Sequence, residues 1–161
     1  MARALLIFAL CVLPALISAA RPAKNPYQVV GRVYCDTCRC GYETPKTTSI
    51  AGAKVKVECR NRQSMELVYS KEGKTDSEGK YSISVTEDHE DQVCDALLVS
   101  SSQPDCAKLS MGRERARVIL TNSNGIASTT RYVNAMLFEK DEAEAGCAEV
   151  LKLYQENEED M

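Results

Sequence analysis

One dense group of residues in this sequence could support chemistry, the pair Cys35-x-x-Cys38. A redox-active pair of this spacing needs a helix N-terminus, whose dipole lowers a thiol pKa. Here an alternating, strand-like run precedes the pair, and the segment 41–45 that follows it has loop composition. A zinc knuckle needs a second close pair of Cys or His, whereas the later thiols are scattered singly. The favoured interpretation is two separate disulfides that anchor one strand end to two distant segments.

The single histidine, His89, is the next candidate for chemistry. Four acidic residues flank it in the segment 87–91, which connects two predicted strands. We therefore expect an exposed, protonated loop histidine and not a general base. Asp88 and Glu90 lack the oxygen count and glycine of a calcium loop, and no glycine-rich phosphate loop occurs. The sequence predicts no catalytic residue, no metal and no cofactor, and thus a protein that is not an enzyme.

The first twenty residues have the composition of a signal peptide. Arg3 gives a positive start, an apolar run follows from Leu5 to Ile17, and Ser18 and Ala20 suit cleavage. We expect residues 1–20 to be removed, a leader at 21–26, and a secreted, extracellular protein without a membrane span, which needs about twenty apolar residues. Loss of Arg3 takes the net charge from −3 to −4. That acidity argues against nucleic acid and anionic lipid as partners.

Cleavage would also remove Cys11 and leave seven cysteines, an odd number. In an oxidising compartment disulfides are the default, so at least one thiol is left over or pairs between chains. No asparagine lies in an Asn-x-Ser/Thr triplet, so no N-glycan is expected.

Alternating apolar and polar residues predict about seven antiparallel strands in a small sandwich or barrel, an all-β fold. A short C-terminal helix is predicted for Cys147 to Gln155, with an acidic tail at 156–161 and a single domain at 27–155. Residues 72–79 have turn composition. The predicted strands are Tyr27–Tyr34, Ala53–Cys59, Glu66–Lys71, Lys80–Val85, Val93–Ser100, Arg115–Thr121 and Arg131–Phe138.

The segment from Val30 to Arg39 resembles the signature of the plant pollen-allergen family typified by the major olive pollen allergen. That signature usually begins with Glu, Gln or Thr, where this chain has Val30. Its matching residues are Gly31, Val33, Tyr34, Cys35, Asp36, Cys38 and Arg39. The six cysteines other than Cys40 step by 3, 21, 35, 12 and 41 residues, which is similar to the family's ladder. Segments 52–59, 88–90, 104–106 and 131–134 match as well, so the resemblance covers nearly all of 27–150.

The resemblance implies three disulfides, Cys35–Cys106, Cys38–Cys147 and Cys59–Cys94, in a β-barrel or sandwich. The pattern of residues 52–57 and 75–85 is similar to that of prealbumin-like sandwiches, which agrees with this fold. Cys40 is outside the family pattern. It could be a free thiol, replace Cys38 in its bridge, or link two chains as a homodimer. Because it precedes Gly41 at a loop, we expect an exposed thiol, with Arg39 favouring the thiolate. Such a thiol is expected to form a reducible dimer or to carry a small cap such as glutathione.

Two classes of function remain. The resemblance implies a non-enzymatic interaction or signalling protein of pollen, acting at the cell wall or on a surface receptor during hydration, germination or tube growth. It also implies an allergen bound by IgE. The alternative is a small-molecule carrier or a protease-inhibitor-type binding module that uses loops at one end of the fold. A solid core would favour the first, and a lined apolar cavity the carrier.

Overall fold

Ten strands and a C-terminal helix form the described part of the chain in the computed structural model, which covers residues 26–159 and side chains as far as Tyr154. The expected signal peptide and most of the leader lie outside the described residues. The strands are β1 (Tyr27–Asp36), β2 (Thr48–Ser49), β3 (Lys54–Asn61), β4 (Leu67–Lys74), β5 (Lys80–Val85), β6 (Gln92–Ser100), β7 (Lys108–Leu109), β8 (Arg115–Val118), β9 (Thr130–Tyr132) and β10 (Met136–Glu139), followed by α1 (Cys147–Glu159).

The two sheets confirm the predicted all-β, sandwich-like fold, and each predicted strand overlaps an observed one. One sheet has the order β4-β3-β6-β8, and the other is built around β1. Three details differ from the prediction. Strand β4 continues to Lys74, into the segment expected to turn, and the run 131–138 is split between β9 and β10. The two-residue strands β2 and β7 were too short to leave a periodic signal.

Strand β1 pairs with four other strands, two along each half. Its first half lies between β5 and β9, and its second half lies between β2 and β10. The pairings with β9 and β10 are parallel, whereas all the others in this sheet are antiparallel. The expectation of an entirely antiparallel fold is therefore corrected at these two strands. Between them Val133 still donates its amide to Val30 O at 2.9 Å.

The core fills the space between the two sheets with alternate side chains of their strands. Val55 and Val57 of β3 are completely buried, as their period-two spacing predicts. Tyr81, Ile83 and Val85 of β5 point into the same cluster. These residues belong to one hydrophobic core, which dominates the favourable free energy of folding.

Two glycines are required by close approaches around β1. Gly31 faces Tyr81 across the β1–β5 pair, and a Cβ at position 31 would overlap the Tyr81 hydroxyl and ring. Gly79 has φ +74°, and a Cβ there would lie 2.6 Å from Val33 O. A side chain at Gly79 would therefore meet both left-handed backbone strain and a backbone clash.

Helix α1 follows Gly146 and begins at the buried Cys147. Tyr154 contacts Tyr42 edge-on, with ring centroids 5.4 Å apart, so the helix packs on the loop after β1. The helix continues to Glu159, four residues beyond its predicted end. Within residues 26–159, no helix is long and apolar enough to cross a membrane.

Candidate interaction surface

Three disulfides connect the described cysteines, and their pairing is the one that the family resemblance implies. Cys35 at the end of β1 joins Cys106 in the segment before β7. Cys38 joins Cys147, the first residue of α1. Cys59 and Cys94 face each other directly across the β3–β6 ladder.

The polar signature residues shape the chain after β1. Asp36 is fully buried and its carboxylate accepts hydrogen bonds from Cys38 N at 3.1 Å and Gly41 N at 2.7 Å. Arg39 adopts φ +56° and donates to Asp141 O at 2.6 Å. Tyr34 accepts a hydrogen bond from Arg113 at 3.1 Å. These contacts join the turn to the segments before β8 and α1, so the signature has a structural role.

Cys40 carries a free thiol. Its side chain is half-buried, so the expectation of an exposed cysteine is corrected. Its Sγ lies 3.4 Å from Tyr42 O and 3.6 Å from Asp36 Oδ1. Burial raises the pKa of the Cys40 thiol, and the adjacent Asp36 carboxylate raises it further. Arg39 donates elsewhere and does not offset them. The thiolate is therefore disfavoured at neutral pH.

We expect the Cys40 thiol to react more slowly with Ellman's reagent at pH 7 in the native protein than in the unfolded one, because only the thiolate attacks. The rate should rise as the pH increases toward the raised pKa. Cys40→Ser should fold unchanged, since a hydroxyl can also donate to Asp36. Equal rates in native and unfolded protein, or a disulfide-linked dimer on a non-reducing gel, would contradict a protected thiol.

His89 is also placed differently from the prediction, because its side chain is only 4% exposed. Its Nδ1 lies 2.8 Å from Gln92 Oε1 and its Nε2 lies 3.2 Å from Thr86 O. The ring packs against Tyr69 with centroids 4.9 Å apart. Both ring nitrogens therefore have a polar partner inside the fold, while Glu87, Glu90 and Asp91 remain exposed. The acidic sequence context therefore predicted the exposure of the neighbouring acidic residues but not the burial of His89.

Tyr132 is the most exposed tyrosine among the large hydrophobic side chains, with 82% of its surface accessible. It projects from β9, the outer partner of β1, while the neighbouring Arg131 and Val133 are buried. The alternation of the strand therefore directs this ring to solvent. Tyrosine is enriched among the residues that contribute most to protein interfaces.

Two surface grooves meet at Tyr132. The first, of about 260 Å³, is lined by Val30, Gly31 and Val133 with Arg32 and Lys80. The second, of about 320 Å³, also has Tyr132 in its lining. Its apolar lining includes Ile119 and Ile126, which are 53% and 44% exposed. We name Tyr132 and these two grooves the Tyr132 surface.

The Tyr132 surface combines an aromatic anchor, apolar walls and cationic side chains. Arg117 lines the second groove and pairs with Asp95 at 2.6 Å, and Lys80 pairs with Glu78 at 2.6 Å. Such a combination can bind a macromolecule. Sequence analysis missed this surface, although the alternation around Tyr132 carried a signal for an outward-facing ring.

Comparisons with known proteins cover nearly the whole described chain. Residues 25–155 match the family described as pollen protein Ole e 1 like. The anther-specific protein LAT52 of Solanum lycopersicum is 40% identical over 152 residues, 94% of this chain and 94% of that protein. Protein DOWNSTREAM OF FLC of Arabidopsis thaliana is 45% identical over 149 residues, 92% of this chain and 90% of that protein.

The fold is also similar to that of a solved pollen allergen. The crystal structure of the major plantain pollen allergen Pla l 1 matches with a TM-score of 0.69 and 31% identity, covering 76% of this chain and 99% of that chain. The family match at residues 25–155 spans the disulfide-bonded sheets described above. The chain therefore belongs to the family of pollen proteins like Ole e 1, which includes pollen allergens.

Proposed function

We propose that this protein is a secreted, non-enzymatic recognition protein that binds an extracellular partner through the Tyr132 surface. The observation that carries the proposal is the exposed Tyr132 ring at the junction of two apolar grooves. A large exposed aromatic residue lowers solubility unless a partner covers it, and such patches commonly mark interaction sites.

The closely packed residues between the sheets favour recognition over transport of a small molecule. Between the sheets, Val29, Val55, Val57 and Met136 are completely buried in one cluster. The grooves beside Tyr132 open instead at the protein surface, and the exposed Ile119 forms part of the lining of the second one. A carrier would need a cavity that encloses most of its ligand, so the carrier alternative has weaker support.

The covalent structure supports an extracellular location. Three disulfides link the described segments, and such bonds persist in oxidising compartments. The apolar N-terminal run of the sequence is consistent with export.

Family membership and the anther-specific relative support a role in pollen hydration, germination or tube growth, at the cell wall or a surface receptor. The allergen among the similar structures supports recognition by human IgE.

We expect Tyr132→Ser to weaken partner binding by about 30-fold, since an interface anchor contributes about 2 kcal/mol or more. The measurement is capture from an extracellular extract of germinating pollen, followed by titration of the purified partner. Met111→Ser is the matched control, because Met111 is 96% exposed and lines neither groove. Equal binding by Tyr132→Ser and the wild type would contradict the proposed surface.

The same two variants test the biological role. Added wild-type protein and Met111→Ser should change the length of pollen tubes grown in culture, and Tyr132→Ser should not. No response to the wild-type protein would contradict a role in tube growth. Turnover of the captured partner by the pure protein would contradict a non-enzymatic function.

A further inference from the structure

The Cys59–Cys94 disulfide forms a buried cluster with the single histidine of the chain. One ring nitrogen of His89 and the two sulfur atoms all lie within 4.8 Å of one another. All three residues are buried: Cys59 is 0% exposed, Cys94 is 2% exposed and His89 is 4% exposed. While the disulfide is intact the sulfurs bond each other, so the cluster then has no thiolate to offer a cation.

We propose that reduction of Cys59–Cys94 converts this cluster into a zinc-type metal site, with two thiolates and one imidazole nitrogen as ligands. Two sulfurs and one nitrogen form the soft ligand set that Zn²⁺ and similar divalent cations accept, with a fourth position left for water. The inference is independent of the proposed recognition surface.

The conversion needs a dithiol reductant of the thioredoxin class. That dithiol supplies two electrons and two protons to the Sγ–Sγ bond and becomes a disulfide itself, which leaves two cysteine thiols. A divalent cation then displaces both thiol protons and binds two thiolates and the neutral imidazole. The bound unit carries no net charge, as its burial requires.

The backbone would hold the ligands together after reduction. Cys59 and Cys94 are direct partners in the β3–β6 ladder, and the flanking pairs Glu58 with Asp95 and Arg60 with Val93 continue the register. The two sulfurs therefore stay on one face of the same sheet without the covalent bond.

His89 can provide one nitrogen ligand to the cluster. In the tautomer with a proton on Nε2, this nitrogen donates to Thr86 O at 3.2 Å, and Nδ1 keeps a lone pair. A backbone carbonyl on the second ring nitrogen is the usual outer partner of a metal-bound histidine. Gln92, whose Oε1 lies 2.8 Å from Nδ1, would move aside or provide oxygen to the metal.

A groove of about 270 Å³ borders the cluster. His89, Gln92 and Cys94 form part of its lining. This space accommodates a water molecule as the fourth ligand. Metal binding would keep β3 and β6 cross-linked under conditions that remove the disulfide.

The test uses the full folded protein in a Cys40→Ser background, which removes the spare thiol. The protein is reduced with a dithiol, freed of reductant under anaerobic conditions, and titrated with Zn²⁺ and with Co²⁺ as a spectroscopic probe. Far-UV circular dichroism reports folding at each step. His89→Gln and the double variant Cys59→Ser/Cys94→Ser are treated in the same way. The double variant retains the other four bridged cysteines and reports any binding by them.

We expect one equivalent of Co²⁺ to bind the reduced protein with thiolate charge-transfer bands and tetrahedral d–d bands. Zn²⁺ should displace it and raise the melting temperature. His89→Gln should weaken binding at least tenfold, and the double variant should lack this equivalent. Three results would each overturn the proposal. The first is equal affinity in His89→Gln, and the second is no binding by a folded reduced protein. The third is reduced protein that stays unfolded with Zn²⁺ present.

Discussion

Replacing Cys59 and Cys94 together by alanine is expected to lower the free energy of unfolding by about 2–5 kcal/mol, the usual loss for a native disulfide in a small secreted domain. The bond closes a segment with a sequence separation of 35 residues, so its removal increases the entropy of the unfolded chain. Both sulfurs also pack in the core, and their loss leaves unfilled space between β3 and β6. Urea unfolding followed by circular dichroism measures the change.

The variant Cys38→Ala/Cys147→Ala is the matched comparison. Its bond spans 109 residues and fastens α1 to the turn after β1. Apart from this anchor, the described helical residues up to Tyr154 are half-buried or exposed. We therefore expect hydrogen exchange in this variant to increase first in α1, and in the Cys59/Cys94 variant to increase in β3 and β6. The same exchange pattern in both variants would contradict the separate regions assigned to the two disulfides. A decrease in the free energy of unfolding below about 1 kcal/mol in the Cys59/Cys94 variant would contradict the expected stabilisation.

Strands with one buried face were predictable from the sequence because their side chains alternate. In β3 and β5 the buried Val55, Val57, Ile83 and Val85 occur at the predicted positions. Strand β4 gave a weaker signal, since its side chains are mostly exposed. Pairing with β3, and not burial, makes residues 72–74 extended.

Parallel pairing and the division of the last strand could not be derived from alternation. Residues 131–138 were predicted as one strand, but they pair first with one half of β1 and then with the other. The chain leaves the ladder around the exposed Asn134 and rejoins it at Met136. The period of the apolar residues indicates which face of a strand is buried, but it does not indicate which strand pairs with it.

The candidate sites differ in how far the sequence could predict them. The signature identified the family, but the buried contacts of Asp36 depend on the backbone turn that it caps. Similarly, the orientation of His89 depends on Thr86 O and Gln92, which are ordinary residues in the sequence. The Tyr132 surface required the grooves that neighbouring strands form in three dimensions.

Arg131→Met is expected to lower the free energy of unfolding by about 3 kcal/mol, because a buried hydrogen-bonded cation is removed and its acceptors lose their partner. Arg131 is only 4% exposed. Its guanidinium group donates to Ile119 O at 3.0 Å, to Thr121 O at 2.8 Å and to Ser128 O. It also lies 5.0 Å from the centroid of the Tyr27 ring. Methionine restores apolar volume but none of these hydrogen bonds.

Arg32→Met is the matched control, since it removes the same charge from an exposed position on the adjoining strand β1. It should change stability by no more than about 0.5 kcal/mol. Arg131→Lys should recover only part of the loss, because one ammonium group cannot reproduce the planar arrangement of donors. Urea unfolding gives the three values, and hydrogen exchange should rise in residues 119–128 of Arg131→Met alone. If Arg131→Met is as stable as Arg32→Met, the guanidinium does not hold this segment, and the groove beside Tyr132 must be shaped by packing of Ile119 and Ile126.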